Sequence, residues 1–138
     1  MAVWAEEDRK AVEQVIAERL EEHLEPGERV SVEGETRADA VEAKLVLSGS
    51  ASGARVVIEA RVELEKTGLD AEAARYLALD AVDLVLLEYL DSQRRIRFSG
   101  VWEERELEGK TLSVRAERTF PDLEAQADAL LKGSDAGD

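Results

Sequence analysis

ARVVIEARVEL, residues 54–64, alternates along its whole length. Val56, Ile58, Ala60, Val62 and Leu64 fall on one side, and Arg55, Val57, Glu59, Arg61 and Glu63 on the other. A period of two over eleven residues predicts a β-strand with one packed and one wet face. Its two upstream neighbours carry the same signal more faintly. RVSVEG (29–34) puts Val30 and Val32 on one face, and AVEAKLVLS (40–48) does the same with Val41, Ala43, Leu45 and Leu47. SGSASG (48–53) reads as the loop of a hairpin between the last two. Three strands with small apolar residues opposite charged ones predict an antiparallel sheet covered on one side.

The helices frame this sheet. Residues 2–24, AVWAEEDRKAVEQVIAERLEEHL, place Val12, Val15, Ile16, Leu20 and Leu24 at three- and four-residue spacing, which predicts an amphipathic helix stopped by Pro26-Gly27. Asp70 is a good N-cap for a second helix running to about Leu90. RRIRFSGVWEERELEGKTLSVRAERTF (94–120) reads as a long hairpin turning at Glu108-Gly109, with Gly100 marking a bulge or a close approach. Ile96, Phe98 and Trp102 share one parity on its first strand. PDLEAQADALLK (121–132) predicts a last helix with Pro121 at its first position. The expected fold is α+β: one domain over residues 1–132, an antiparallel sheet with helices mainly on one face, in the order α-β-β-β-α-β-β-α. Residues 133–138 read as a polar, disordered tail.

RYLALDAVDLVLLEYL (75–90) is the most apolar stretch, yet Asp80 and Asp83 interrupt it. Three apart on a helix, they share a side. A catalytic pair needs two carboxylates in contrasting environments, and a metal site needs further oxygen ligands. Neither is visible, so the two aspartates read as the solvent seam of a helix with a wide apolar belt. Such a belt calls for a second covering surface, either another helix or a second copy of the chain. On this reading Leu77, Leu84 and Leu87 are candidate interface residues. Trp102 is a fourth candidate, because a tryptophan in a charged setting can anchor a partner; its parity with Phe98 points instead to the core.

Composition narrows the chemistry. The 138 residues contain no cysteine and one histidine, His23. Disulfides, thiolate zinc and cysteine nucleophiles are thereby excluded. His23 has a plain role at the end of the first helix, where a cation complements the dipole. SGSASG lacks the Gly-Lys-Ser/Thr ending of a phosphate loop. Arg94, Arg95 and Arg97 form the one basic cluster; Arg94 and Arg95 read chiefly as serving the carboxyl end of the second helix, and the cluster alternatively as capturing an anion or a carboxylate. No catalytic, cofactor or metal site is expected. The net charge of −14 repels nucleic acid and anionic membrane surfaces and attracts basic partners. No secretion signal or membrane span is visible, and with cysteine absent a cytoplasmic setting is expected.

The element order, carried by AVEQVIAERL, RVSV, KLVL, VVIEARVEL, YLALDAVDLVLLEYL, RIRFSGVW/TLSVRAER and LEAQADALL, resembles the small acidic dimeric chaperones of type III secretion and the related YbjN-like domains. The resemblance implies a homodimer built on the second helix and a strand, with exposed patches that hold an unfolded segment of another protein. The expected function is therefore a non-enzymatic, acidic, chaperone-like protein that engages a polypeptide partner through a sheet edge or an apolar patch. The alternative is a small-molecule binder or enzyme with a pocket between the sheet and the second helix.

Overall fold

The computed structural model describes residues 2–121 together with Leu123, Gln126, Ala127, Leu130 and Leu131. The chain runs β1 (Ala2–Val3), α1 (Glu6–Arg19), a 3₁₀ turn (Glu21–His23), β2 (Arg29–Thr36), β3 (Ala40–Ser48), β4 (Arg55–Glu63), α2 (Leu64–Thr67), α3 (Ala71–Asp91), β5 (Glu103–Leu107) and β6 (Lys110–Thr119). The fold is α+β. Six strands form one antiparallel sheet in the order β1-β2-β3-β4-β6-β5. Pro121 and the five later described residues are helical; the rest of the helix expected over 121–132, and the tail 133–138, lie outside the described residues. No helix among the described residues is long and apolar enough to cross a membrane.

The alternation of residues 54–64 becomes the centre of the molecule. Val56, Ile58, Ala60 and Val62 are buried beneath α3, alongside Val41, Ala43, Leu45 and Leu47 of β3. The register sets Leu45 against Ile58 and Ala43 against Ala60. Small side chains at that crossing let the helix approach the sheet closely. Asp70 caps α3 as its sequence predicts, its Oδ1 accepting the Ala73 N–H at 2.8 Å.

The belt on α3 is covered within the chain. Ten of its residues are buried, Leu77, Val82, Leu86 and Tyr89 among them. The sheet takes one side. On the other, α1 lies along β2 and is tied to α3 by the Arg19–Asp83 and Arg75–Asp8 ion pairs. Asp83 is thus a half-buried strut between helices rather than part of a solvent seam, whereas Asp80 is exposed. Leu77 belongs to the core at 3 % exposure and presents nothing to a partner. Leu84 and Leu87 are half-buried.

Three local expectations are corrected. The first helix begins at Glu6 rather than Ala2, because Ala2 and Val3 pair with Thr36 and Glu35. Trp4 then turns inward, its ring lying where a side chain on Gly34 would have to stand and its Nε1 donating to Thr36 Oγ1 at 3.2 Å. Val15 is exposed: α1 rests on the sheet margin and buries a narrow stripe, Ile16 and Leu20. The first strand of the long hairpin is short. Residues 92–102 run as an irregular connection, and pairing with β6 starts only at Glu103.

Core deletions should separate the two sides of α3. Leu86→Ala, at a site with no exposure, is expected to cost about 2–5 kcal/mol. Leu84→Ala, at a half-buried site, is expected to cost about 1 kcal/mol, since less apolar surface returns to water. Urea unfolding of both variants checks the ordering, and equal losses would mean that a second surface covers Leu84.

Candidate functional site

The connection between α3 and β5 builds the most distinctive surface of the molecule. It starts where α3 ends in two left-handed residues, Gln93 (φ 59°) and Arg94 (φ 63°). The Gln93 N–H donates to Leu90 O and the Arg94 N–H to Tyr89 O, both at 3.0 Å, closing the helix by a Schellman-type end that usually employs glycine. Ser92 secures the exit: its hydroxyl donates to Tyr89 O and accepts the N–H groups of Arg95 and Ile96.

Two side chains with positive φ in succession are unfavourable by themselves. What holds them is the Arg94 side chain. Its guanidinium donates in fork geometry to both oxygens of Glu28, at 2.7 and 2.5 Å, and to the His23 carbonyl at 3.0 Å. The Glu28 side chain is 1 % exposed. Its backbone closes the Glu25–Glu28 turn, and its carboxylate also accepts the Glu25 N–H at 2.8 Å. Burial alone would push the Glu28 carboxyl up; the hydrogen bonds from Arg94 and Glu25, with the charge of Arg94, outweigh it and hold the carboxyl below its ordinary value. The hydrogen bond to Glu28 likewise raises Arg94. The carboxylate captured by the basic cluster is therefore the chain's own.

From this anchor the segment crosses the open end of the sheet. Phe98 turns in against Tyr89, ring centroids 5.4 Å apart. Gly100 takes φ 74° and donates its N–H to Ala116 O at 3.0 Å. That kink breaks the parity expected from sequence: Phe98 is half-buried on the helix side, while Trp102, 44 % exposed, emerges beside the outer face of the sheet. Between the connection, α3 and β6 lies a groove of about 340 Å³. Val85, Phe98, Val114 and Ala116 supply its apolar lining, and the exposed Ile96 and Val101 its rim. The Arg105–Glu88 ion pair ties β5 to α3 at the margin. The groove lies on the helix side of the sheet, where the alternative reading places a pocket.

The two margins of the sheet differ. At one, β1 pairs with the end of β2, α1 lies alongside, and Glu13 reaches from α1 to accept the Val32 N–H at 2.7 Å. A carboxylate there occupies the backbone donor that an incoming strand would need. At the other, β5 pairs with β6 alone, and among the described residues nothing covers its outer edge. Glu108 (φ 52°) and Gly109 make the two-residue turn that sequence predicts, fixing β5 in register.

The sheet face away from the helices is charged and largely self-satisfied. One cross-strand row runs Glu33, Lys44, Glu59, Arg115, alternating in sign. Arg61 pairs with Glu42, and Arg37 with Glu35 and Glu42; these contacts raise Arg37. A shallow hollow of about 370 Å³ lies over this face, walled by Trp102 and Val3. Among the described residues no group of three or more His, Asp and Glu converges as a metal site. His23 is exposed and lies 3.6 Å from Asp91.

No family model matches the chain, and no curated protein or solved structure matches it.

The anchor has a signed dependence on pH. The Glu28 carboxyl lies below its ordinary value in the fold, so its contribution is complete above that ordinary value and is lost as pH falls through the folded one. Arg94→Met leaves the carboxylate buried without a cation, and at neutral pH this is expected to cost about 2–4 kcal/mol, with Arg94's partial exposure favouring the lower end. The lone carboxyl is then raised, so the deficit of the variant should shrink as pH falls toward 4. Chemical denaturation of both proteins from neutral to acid pH reads this out. A deficit that is constant across that range is the contrary result.

Proposed function

We propose that the protein is a non-enzymatic binding protein that engages an extended polypeptide by strand addition at β5. The observation that carries this reading is the outer edge of β5, with which no further strand pairs among the described residues, beside a groove of apolar floor and charged margin on the helix side. Strand addition supplies affinity through the backbone and selectivity through pockets for alternate side chains, and the groove is such a pocket. At the opposite margin Glu13 occupies one edge amide of β2, whereas among the described residues no side chain accepts an amide of β5. Trp102 stands one residue before β5 and would flank the incoming strand.

This reading accords with the resemblance in element order to acidic secretion chaperones, which hold segments of other proteins. In its homodimeric form, the contact between copies uses the half-exposed Leu84 and Leu87 of α3, because the rest of the belt is already covered. The competing reading is a small apolar ligand in the same groove, whose size falls in the range of about 300–1,000 Å³ found for ligand sites. A ligand would leave the edge amides free; a strand would not.

Selection from a random peptide library, followed by amide hydrogen exchange, tests the proposal. Selected peptides should alternate in polarity and protect Glu103–Leu107. Val101→Glu, at an exposed rim position, should weaken them by about tenfold, the equivalent of 1.4 kcal/mol, without lowering the melting temperature. Peptides that bind while leaving the β5 amides unprotected would refute strand addition.

A further inference from the structure

The proposed strand addition at β5 leaves open what kind of segment fits, and the charges around the edge answer this. Within β5 and its turn stand Glu103, Glu104, Glu106 and Glu108, against a single cation, Arg105, which Glu88 already engages. The Glu104 carboxylate meets Lys66 at 3.1 Å, with both side chains largely exposed; such a pair is weak and exchangeable. No ion pair involves Glu103, Glu106 or Glu108 among the described residues. This contrasts with the neighbouring outer face, where Glu33, Glu35 and Glu42 all have cationic partners. The register adds direction. Glu103, Arg105 and Leu107 share the side of Val114 and Leu112, toward the helices, where Glu103 stands at the margin of the groove and Arg105 is engaged by Glu88, whereas Glu104 and Glu106 share the side of Ser113 and Thr111, away from them. A strand added to β5 therefore faces a groove with an apolar floor and a charged margin with one set of alternate side chains, and two carboxylates with the other.

A second copy of the chain is a poor occupant. Antiparallel pairing of β5 with itself about Arg105 opposes Glu104 to Glu106, and pairing about Glu104 or Glu106 opposes each to its own copy. Like charges directly across strands are destabilising, and two chains of net charge −14 also repel at longer range.

Resting on the strand-addition reading, we propose that the partner is a basic segment of another protein in which lysine or arginine alternates with apolar residues. It lies along β5 with its apolar side chains in the groove and its cations against Glu104 and Glu106. Complementary charge of this kind speeds association and excludes acidic competitors.

Fluorescence anisotropy with three labelled peptides on the full chain tests this: alternating Lys and Val, alternating Lys and Ser, and alternating Glu and Val. The Lys-Val peptide is expected to bind about tenfold or more tightly than either of the others, a margin of 1.4 kcal/mol. Its binding should weaken as salt rises from about 50 to about 300 mM, because these exposed charges are screened. The double variant Glu104→Gln with Glu106→Gln should lose most of that advantage while keeping its melting temperature. Equal binding of Lys-Ser and Lys-Val would reveal mere adhesion to an acidic surface and overturn the proposal. Equal binding of Glu-Val and Lys-Val would overturn the charge assignment and leave strand addition standing. Absence of binding by all three would refute the basic segment and count against the β5 site itself. Protection of the Glu103–Leu107 amides that grows with protein concentration alone would place a second copy on the edge, and would equally overturn the proposal.

Discussion

The pairing of Arg94 with Glu28 sits where four parts of the chain meet. Glu28 belongs to the turn that leads from α1 into β2; Arg94 follows α3. The guanidinium also takes the His23 carbonyl at the end of the 3₁₀ turn, and the Arg94 carbonyl accepts from Arg118 of β6 at 3.0 Å. A carboxylate this deeply buried would be unfavourable alone, as would two left-handed side chains in a row. Each is tolerable because the other is present. The exit of the chain from α3 is thereby fixed, and with it the path of residues 95–102, which form the rim of the groove.

That path explains why the groove exists at all. α3 packs chiefly on β3 and β4; at its margin with β6, where Leu112, Val114 and Ala116 are still buried, the groove opens toward β5. A regular hairpin strand over residues 94–102 would have widened the sheet by a full-length edge. Instead the connection turns at Arg94 and again at Gly100, placing Phe98 beside Tyr89 and leaving β5 only five residues long. A short, charged edge strand ordinarily guards against unwanted pairing. Here the charges are nearly all of one sign and border an apolar hollow, which excludes some strands and suits others.

The net charge of −14 is unevenly distributed. On the outer sheet face the carboxylates mostly answer cations across the strands, and exposed pairs of this kind contribute little stability each. They do keep that face from attracting or repelling strongly. The unbalanced acidity therefore falls on the helices and on the segment from Glu103 to Glu108.

Sequence alone determined the sheet strands β2, β3, β4 and β6, the long helix α3 with its Asp70 cap, and the Glu108-Gly109 turn. Each rests on a local rule: a period of two or of 3.6, a side chain that caps its own helix, a turn that demands positive φ. The placement of Trp4, Val15, Asp83 and Trp102 was not legible in this way. Trp4 turns inward because Gly34, thirty residues on, leaves room for its ring. Val15 stays out because α1 happens to rest on the sheet margin. Asp83 becomes a strut only because Arg19 lies opposite. The parity of residues 96–102 looks regular in one dimension and is broken at Gly100, whose kink depends on a hydrogen bond to Ala116. The groove and the open edge of β5 lie still further from the sequence. They follow from which strand ends outermost and how far α3 extends across the sheet, and both are set by packing between segments distant in the chain. Periodicity reports which way a side chain faces within its own element; only the tertiary structure decides what, if anything, stands on the other side.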